Sequence, residues 1–454
     1  MATSQKAGMG SLREDENDQL SHEFSQFQKP LIDDTVQSSY TLEHGTTQNL
    51  NENSVLEISV PPSEHYIKLN EIYLKGEFQV VKKKMTDGSE EKLKPEDDVS
   101  ICNMGPSALF KLVTLHMNNV EVNDRSGYHY PWKAFIETLF NFTQENKDNY
   151  LKTFSHYIPD DDGKEDGDDY MKKDGGNRGY VSRSKLIEKS NTVEFYTKIH
   201  LDVLTSNRLL LNGVQLKFRF HRNADYDILI SPTEPTTHNF KIKLNNLKLM
   251  VPYVQVSKEK SDQDGARLMK GPALYPFPLL KCQTHNIPLG SSGLLSQTLA
   301  TGVLPNLVLV GFVQGKKMEN LKHNPFYFNH EKINRLFFRL NGRIINPVME
   351  QIDFDNEKYM GLYFHLIKTL KLDDPSHPIK FTPESFKSGC TFFALDTRGC
   401  CGGLHLHRPL MGQLDINLGF SETPNDSLSL VSFQIYNAGV AINKDREVEF
   451  MSSI

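Results

Sequence analysis

The chain has 454 residues, 38% hydrophobic and 24% charged, with a net charge of −6, the composition of a globular protein too long for a single hydrophobic core. No stretch approaches the roughly 20 uninterrupted apolar residues of a membrane-spanning helix, and Met1 to Gln28 contains no apolar signal-peptide core. Five cysteines, an odd number without regular spacing, fit reduced thiols of an intracellular protein better than a disulfide framework, so the sequons at Asn141 and Asn425 are expected to stay unmodified.

Residues 1–54 carry three basic against nine acidic side chains, a net −6 that equals the charge of the whole chain. Affinity for a phosphate backbone rests on Lys and Arg displacing counterions, so this composition excludes a nucleic-acid arm. The segment's low hydrophobicity predicts a disordered tail, either merely solvated or ordered by a partner.

Folded structure is expected from about Leu56. Ile72, Leu74, Gly76, Phe78 and Val80 alternate with Tyr73, Lys75, Glu77 and Gln79, the period of a strand with one buried face. A charged loop, Lys82 to Asp98, ends it. Leu112 to Val122 then reads as a hairpin turning at Asn118-Asn119, because asparagine tolerates the positive φ of tight hairpin turns. An aromatic-rich helix follows over Lys133 to Phe142, with Trp132, Phe135, Leu139 and Phe140 expected to pack it against its own sandwich. Beyond an acidic loop, 160–176, Val193 to Val203 alternate again, and Asn212-Gly213 is expected to set hairpin register into the strand Val214 to Phe220.

Two prolines in Ser231 to Pro235 place the boundary between a first unit, 55–232, and a second, 237–454, which is expected to open with the strand Phe240 to Val256. The same order then returns. After a strand at Leu307 to Phe312, Asn324-Pro325-Phe326 is expected to fix a loop entering a strand, since proline restricts its own φ and the residue before it. A hairpin, Leu336 to Ile345, turns at Asn341-Gly342. A helical run covers 357–370, and strands follow at Thr391 to Leu395, Leu414 to Phe420 and Leu430 to Tyr436. The fold class predicted is all-β with short helical insertions, built as two tandem eight-stranded jelly-roll β-sandwiches.

Sites of chemistry are few. The sequence has no GxSxG elbow, P-loop, GxGxxG after a strand or HExxH. Cys400-Cys401 with His405 and His407 comes nearest to a metal cluster, but adjacent cysteine side chains diverge, and a Gly-rich turn before a strand is the better reading. The acidic run Asp160 to Asp169 lacks the DxDxDG order of a calcium loop and is interrupted by Lys164, so a solvated loop is expected. His129, His200, His221 and His323 are scattered, and nothing selects a pair of carboxylates for glycoside hydrolysis. No catalytic residue, metal or cofactor is assigned, and the chain is read as a non-enzyme.

Several segments together resemble one family. Tyr130-Pro131-Trp132-Lys133-Ala134-Phe135-Ile136-Glu137-Thr138-Leu139 is similar to its YPYRAYIETL signature, and His200-Leu201-Asp202 with Arg208 to Val214 is similar to its HxDxF and RYLLNGV segments. Leu304-Pro305, Gly311-Phe312-Val313 and Asn324 to Phe328 resemble its LP, GFV and NPFNF series, and Ile442 to Val448 resembles its IDxxRxV close. The family is the hexon-like major capsid protein of Polinton/Maverick elements and adintoviruses, matched in order over about 56–448.

The resemblance implies a double jelly-roll capsid protein of a double-stranded DNA virus or virus-like transposon. Such a protein forms homotrimers that tile a capsid lattice in the virion, beside a penton or minor capsid protein, without sequence-specific nucleic-acid binding. By fold analogy the loop 160–174 would form an exposed tower. The tail 1–54 would lie on the inner face, against a cement protein, an internal membrane or a neighbouring capsomer. The chain departs from the pattern in that tail, in the long loop and in the turn Cys400 to Gly403. A vertex protein is disfavoured because two rolls are visible, and a β-sandwich carbohydrate-binding module or hydrolase because only one Trp is present.

Overall fold

A computed structural model describes residues 35–123, 129–154, 157–160, 172–232, 238–290, 295–317, 320–345, 349–373, 381–398, 410–424 and 426–452. Among these residues each half of the chain contributes eight principal strands in two sheets. In the first roll, one sheet runs Val36–Gly45, His238–Val256, Tyr73–Lys84, Val193–Lys198, and the other runs Val55–Val60, Leu216–Arg222, Phe110–Met117, Val120–Glu121. Counted along the chain these orders are first-eighth-third-sixth and second-seventh-fourth-fifth.

The second roll repeats both orders. Its sheets run Ala273–Ile287, Leu428–Ile442, Leu307–Gln314, Phe392–Asp396 and Leu295–Val303, Met411–Phe420, Ile333–Leu340, Arg343–Ile344. All the pairings are antiparallel. The eight-stranded jelly roll is therefore present twice.

Alternation builds these sandwiches as the sequence predicts. Leu74, Phe78 and Val80 of one sheet and Leu216, Phe218 and Phe220 of the other are buried. Burying one large apolar side chain contributes roughly 1.5–3 kcal/mol, so each strand brings several such increments to the interior.

The duplication extends to single residues. Gly76 on the third strand of the first roll lies opposite Phe195 on the sixth, and Gly311 lies opposite Phe392 at the same place in the second. A Cβ at Gly76 would stand 2.5 Å from the Phe195 ring, and one at Gly311 would stand 2.9 Å from the Phe392 ring. Each ring occupies the space that the missing side chain leaves.

Four expectations need correction. The strand Val36–Gly45 pairs along the edge of His238–Val256, so the folded chain begins well before Leu56 and the tail is shorter than 1–54. His238–Val256 pairs with both Val36–Gly45 and Tyr73–Lys84, so it closes the first roll rather than opening the second. The boundary expected at Ser231 to Pro235 thus falls before the last strand of the first roll, with 233–237 outside the described residues, and the passage between rolls is the helix Lys258–Leu268, capped by Ser257.

Thirdly, Asn212-Gly213 is a turn but not a hairpin. The strand after it, Leu216–Arg222, pairs with Val55–Val60 and Phe110–Met117 instead of with the segment before it. The alternating run from Val193 also stops at Lys198, where a 3-10 turn at Asp202–Thr205 takes over. Helices at Tyr130–Asn141 and Met360–Leu370 stand where expected, between the fifth and sixth strands of each roll. The helices Arg178–Leu186 and Lys258–Leu268 have too few apolar residues to announce themselves by periodicity.

Candidate assembly site: the seam between the rolls

The helix Tyr130–Asn141 opens with Pro131 in its first turn, where a missing N–H costs nothing. Tyr130, Trp132, Ala134, Phe135, Ile136, Thr138, Leu139 and Phe140 are all buried, so the helix is covered nearly all round, as for an element lodged between two bodies. One side rests on the first roll. The other side meets the second roll, which corrects the expectation that Trp132 and its neighbours serve their own sandwich alone.

Trp132 donates its indole N–H to the Pro325 carbonyl at 3.1 Å. Phe135 stacks on Phe326 with ring centroids 5.3 Å apart, and Phe140 meets Phe381 and Phe392 edge-on at 5.4 and 5.8 Å. Leu139 is buried in the same layer. Asn324 holds the opposing loop in shape, its Oδ1 accepting from the Phe326 N–H at 3.0 Å while its amide donates to Asp160 Oδ2 at 3.0 Å. Trp132, Phe135 and Leu139 are thus brought together with Asn324, Pro325 and Phe326.

Asp160 links the rolls. Besides Asn324 it binds the fully buried Arg183, whose guanidinium also donates to the Ile101 and Ile158 carbonyls. A buried guanidinium needs this density of acceptors to offset its desolvation. Asp160 therefore belongs to the interior rather than to an exposed tower, and residues 161–171 of the expected loop lie outside the described residues. A cleft of about 440 Å³ opens beside this node, lined by Lys147, Tyr157, Asp160, Asn324, Phe326 and Cys390 among others.

A second polar group ties two sequence motifs together. Lys133 lies 2.7 Å from Asp202, which also accepts from the Leu280 N–H of the second roll at 3.2 Å. His200 Nδ1 and Glu137 are 2.7 Å apart, and the His200 N–H donates to the Tyr130 hydroxyl. Burial is the main force raising the Asp202 carboxyl to about 6, partly offset by Lys133 and reinforced by Glu137. Burial opposes ionisation of Glu137 as well, but hydrogen bonding from His200 and the charge of Lys133 outweigh it and hold that group below its ordinary value. These charged groups all have partners, so the cluster fixes the position of the helix.

The third contact is at the turns. Arg446 donates from Nε to the Asn212 carbonyl at 2.7 Å and from Nη2 to Asn212 Oδ1 at 2.5 Å, while its own carbonyl accepts from the Asn118 amide at 2.7 Å. Gly213 has φ +75°, and a Cβ there would meet the Arg446 side chain at 3.4 Å. Tyr275, on the first strand of the second roll, accepts from the Leu211 N–H and donates to the Leu209 carbonyl.

Asn341 and Gly342 are the site candidates that the seam does not include. They turn their hairpin with φ 49° and 80°, as Asn118-Asn119 do with 45° and 69°, and both residues are exposed. Asp160, Arg183, Asp202 and Arg446 were not singled out as site residues in the sequence. Two of them stand inside the family-like segments, which was the available signal.

Among the described residues chemistry of other kinds finds no assembled site. Among the described residues no group of three or more His, Cys, Asp and Glu could hold a metal, and Cys400, Cys401, His405 and His407 lie outside those residues. His129 stacks on Trp132.

No protein-family model matches the chain, and no curated protein matches it in sequence. Solved structures do share its fold. A chain of the Sputnik virophage cryo-EM structure aligns over 100% of this chain and 94% of its own length, with a TM-score of 0.61 at 11% identity. The mavirus major capsid protein aligns over 100% and 96%, with a TM-score of 0.55 at 11% identity. The PBCV-1 protein VP54, fitted into a Sputnik reconstruction, aligns over 94% and 100%, with a TM-score of 0.55 at 9% identity. At these identities the likeness concerns the fold, and the described residues of this chain share the double jelly roll of these capsid proteins.

Proposed function

We propose that the chain is a major capsid protein that self-associates as a homotrimer and tiles the icosahedral shell of a double-stranded DNA virus or virus-like transposon of the Polinton/Maverick and adintovirus kind. The observation that carries this reading is the full-length double jelly roll, with two rolls of identical strand order fixed into one body by the family-like segments. Trp132, Phe135, Leu139, Asn324, Pro325 and Phe326 join the rolls, and Asn212 and Gly213 receive Arg446. Six similar rolls from three chains give a closed oligomer with a pseudo-hexagonal outline suited to a lattice. In this role the protein acts in the virion without catalysis or cofactor, beside a separate vertex protein. Contact with a neighbouring capsomer, a cement protein or an internal membrane is proposed for residues 1–34, which lie outside the described residues.

Light scattering after size exclusion tests the reading. A stable trimer of the full chain supports it, a pentamer assigns the chain to the vertex instead, and a monomer at every concentration and salt overturns self-association.

A further inference from the structure

The cleft beside Asp160 has walls from both rolls. Phe135 and Leu139 of the first roll and Phe326 and Phe381 of the second give it an apolar lining, and its volume of about 440 Å³ lies in the range of small-molecule pockets. Its polar groups are unevenly matched. Asp160 is engaged on both carboxylate oxygens, Oδ1 by Arg183 and the Asn177 amide and Oδ2 by the Asn324 amide. Two donors of the lining, in contrast, retain unused capacity.

Lys147, on the short helix Gln144–Asp148, is 2% exposed. Its ammonium donates to the Leu139 carbonyl at 2.6 Å and stands 6.0 Å from the centre of the Tyr157 ring. An ammonium carries three donors, and among the described residues that carbonyl is the sole hydrogen-bond acceptor of Lys147. The buried Arg183 is met by two carbonyls and a carboxylate, which is the kind of compensation that Lys147 lacks. Burial accordingly lowers the Lys147 ammonium to about 8, with the Cys390 thiol and Asp148 acting in the opposite sense. Asn103, 4% exposed, is the second donor. Its Oδ1 accepts from the Met104 and Ile158 N–H groups at 3.0 and 3.1 Å, which fixes the orientation of the side chain, and its amide nitrogen has no acceptor among the described residues. Buried donors left unmatched are costly, and buried charges more so.

We infer that this cleft is a binding site for a small organic anion, a carboxylate on a flat apolar body, with Lys147 and Asn103 donating to the carboxylate and Phe135, Leu139, Phe326 and Phe381 enclosing the body. A cation would meet the Lys147 ammonium and a carboxylate already engaged on both oxygens, and a bare inorganic anion would leave the aromatic walls unused. Because those walls belong to different rolls, the occupant bridges the seam. The site stands independently of the capsomer reading, which calls for no ligand.

1-Naphthylacetate and its neutral amide, 1-naphthylacetamide, test the site on the full chain by saturation-transfer NMR. The acid is expected to bind with a Kd of about 1 mM or below, and the amide about tenfold more weakly. Lys147→Met keeps the apolar stem and is expected to abolish the preference for the acid, with an unchanged circular-dichroism spectrum. Hydrogen exchange on the unaltered chain gives a reading that needs no variant, with the acid expected to protect 144–148 and 385–390 together. No binding of the acid, equal binding of acid and amide, protection confined to other segments, or a preference that survives in folded Lys147→Met overturns the site.

Discussion

Arg446 grips Asn212 with two hydrogen bonds, to the backbone carbonyl and to the side-chain oxygen, across the boundary between the rolls. The residues stand 234 positions apart in the chain. Arg446 takes φ 62° in a loop that Asn443 shapes by accepting from the Asp445 and Glu447 N–H groups. The loop exists to present a guanidinium fork, which a lysine cannot imitate.

Arg446→Lys is accordingly expected to keep the charge and lose the paired geometry. Hydrogen bonds to charged groups contribute roughly 1.5–3 kcal/mol, so a loss of about 2 kcal/mol in urea unfolding is expected. Hydrogen exchange should rise at 209–214 together with 443–448. A change confined to 443–448 would mean that the fork does not hold the rolls.

The paired glycines predict a packing penalty in each roll. Gly311→Ala would set a Cβ 2.7 Å from the Phe328 ring and 2.9 Å from that of Phe392, and Gly76→Ala would meet both Phe195 and the Asn246 carbonyl. Overpacking of this kind costs about 1–3 kcal/mol, and a partial rescue of Gly311→Ala by Phe392→Leu is expected. Strictly additive effects in the double variant would place the strain elsewhere.

Strand alternation, both asparagine hairpin turns and the two insertion helices were legible in the sequence because each is a local signal. The boundary between rolls was not. Ser231 to Pro235 punctuates the chain strongly, yet it precedes the strand that returns to pair with Val36–Gly45, and a pairing across some 200 residues leaves no local mark. Val36–Gly45 itself is an exposed edge strand, so it lacks the buried alternation by which Tyr73–Lys84 was recognised. Trp132 and Asn324 could be picked out as structural residues, but that they meet across the seam is tertiary information. Asn212-Gly213 was misread for the same reason, since its partner is Arg446 and not a neighbouring strand.

Burial of Asp202 makes a pH prediction with a definite sign. Its carboxyl is raised from 3.8 to about 6 in the folded chain, so between those values the folded state binds the proton more tightly than the unfolded one. Stability from this group therefore falls as pH rises from about 4 to 6. Glu137, held below 4.5, works in the opposite direction as pH drops beneath that value. Asp202→Asn removes the first effect and retains an oxygen for the Leu280 N–H. Across that window the stability difference is expected to move in favour of the variant by up to about 3 kcal/mol, measured by urea unfolding at each pH. A constant difference from pH 4 to 6 would show that Asp202 ionises normally.

Truncation separates the edge strand from the residues before it. Val36–Gly45 covers one side of His238–Val256, with Tyr40 stacked on Tyr253 at 5.5 Å and Glu43 bound to Lys248 at 2.7 Å. Most of its side chains are exposed, so its contribution is the hydrogen-bonded covering of a sheet edge. Removal of 1–34 is expected to change stability by less than about 1 kcal/mol and to leave the proposed trimer intact while impairing assembly of the proposed shell. Removal of 1–45 uncovers the long edge of His238–Val256, which invites pairing with other chains, so aggregation during refolding is expected. If the shorter truncation already dissolves the trimer, the segment before Val36 works inside the capsomer and not between capsomers.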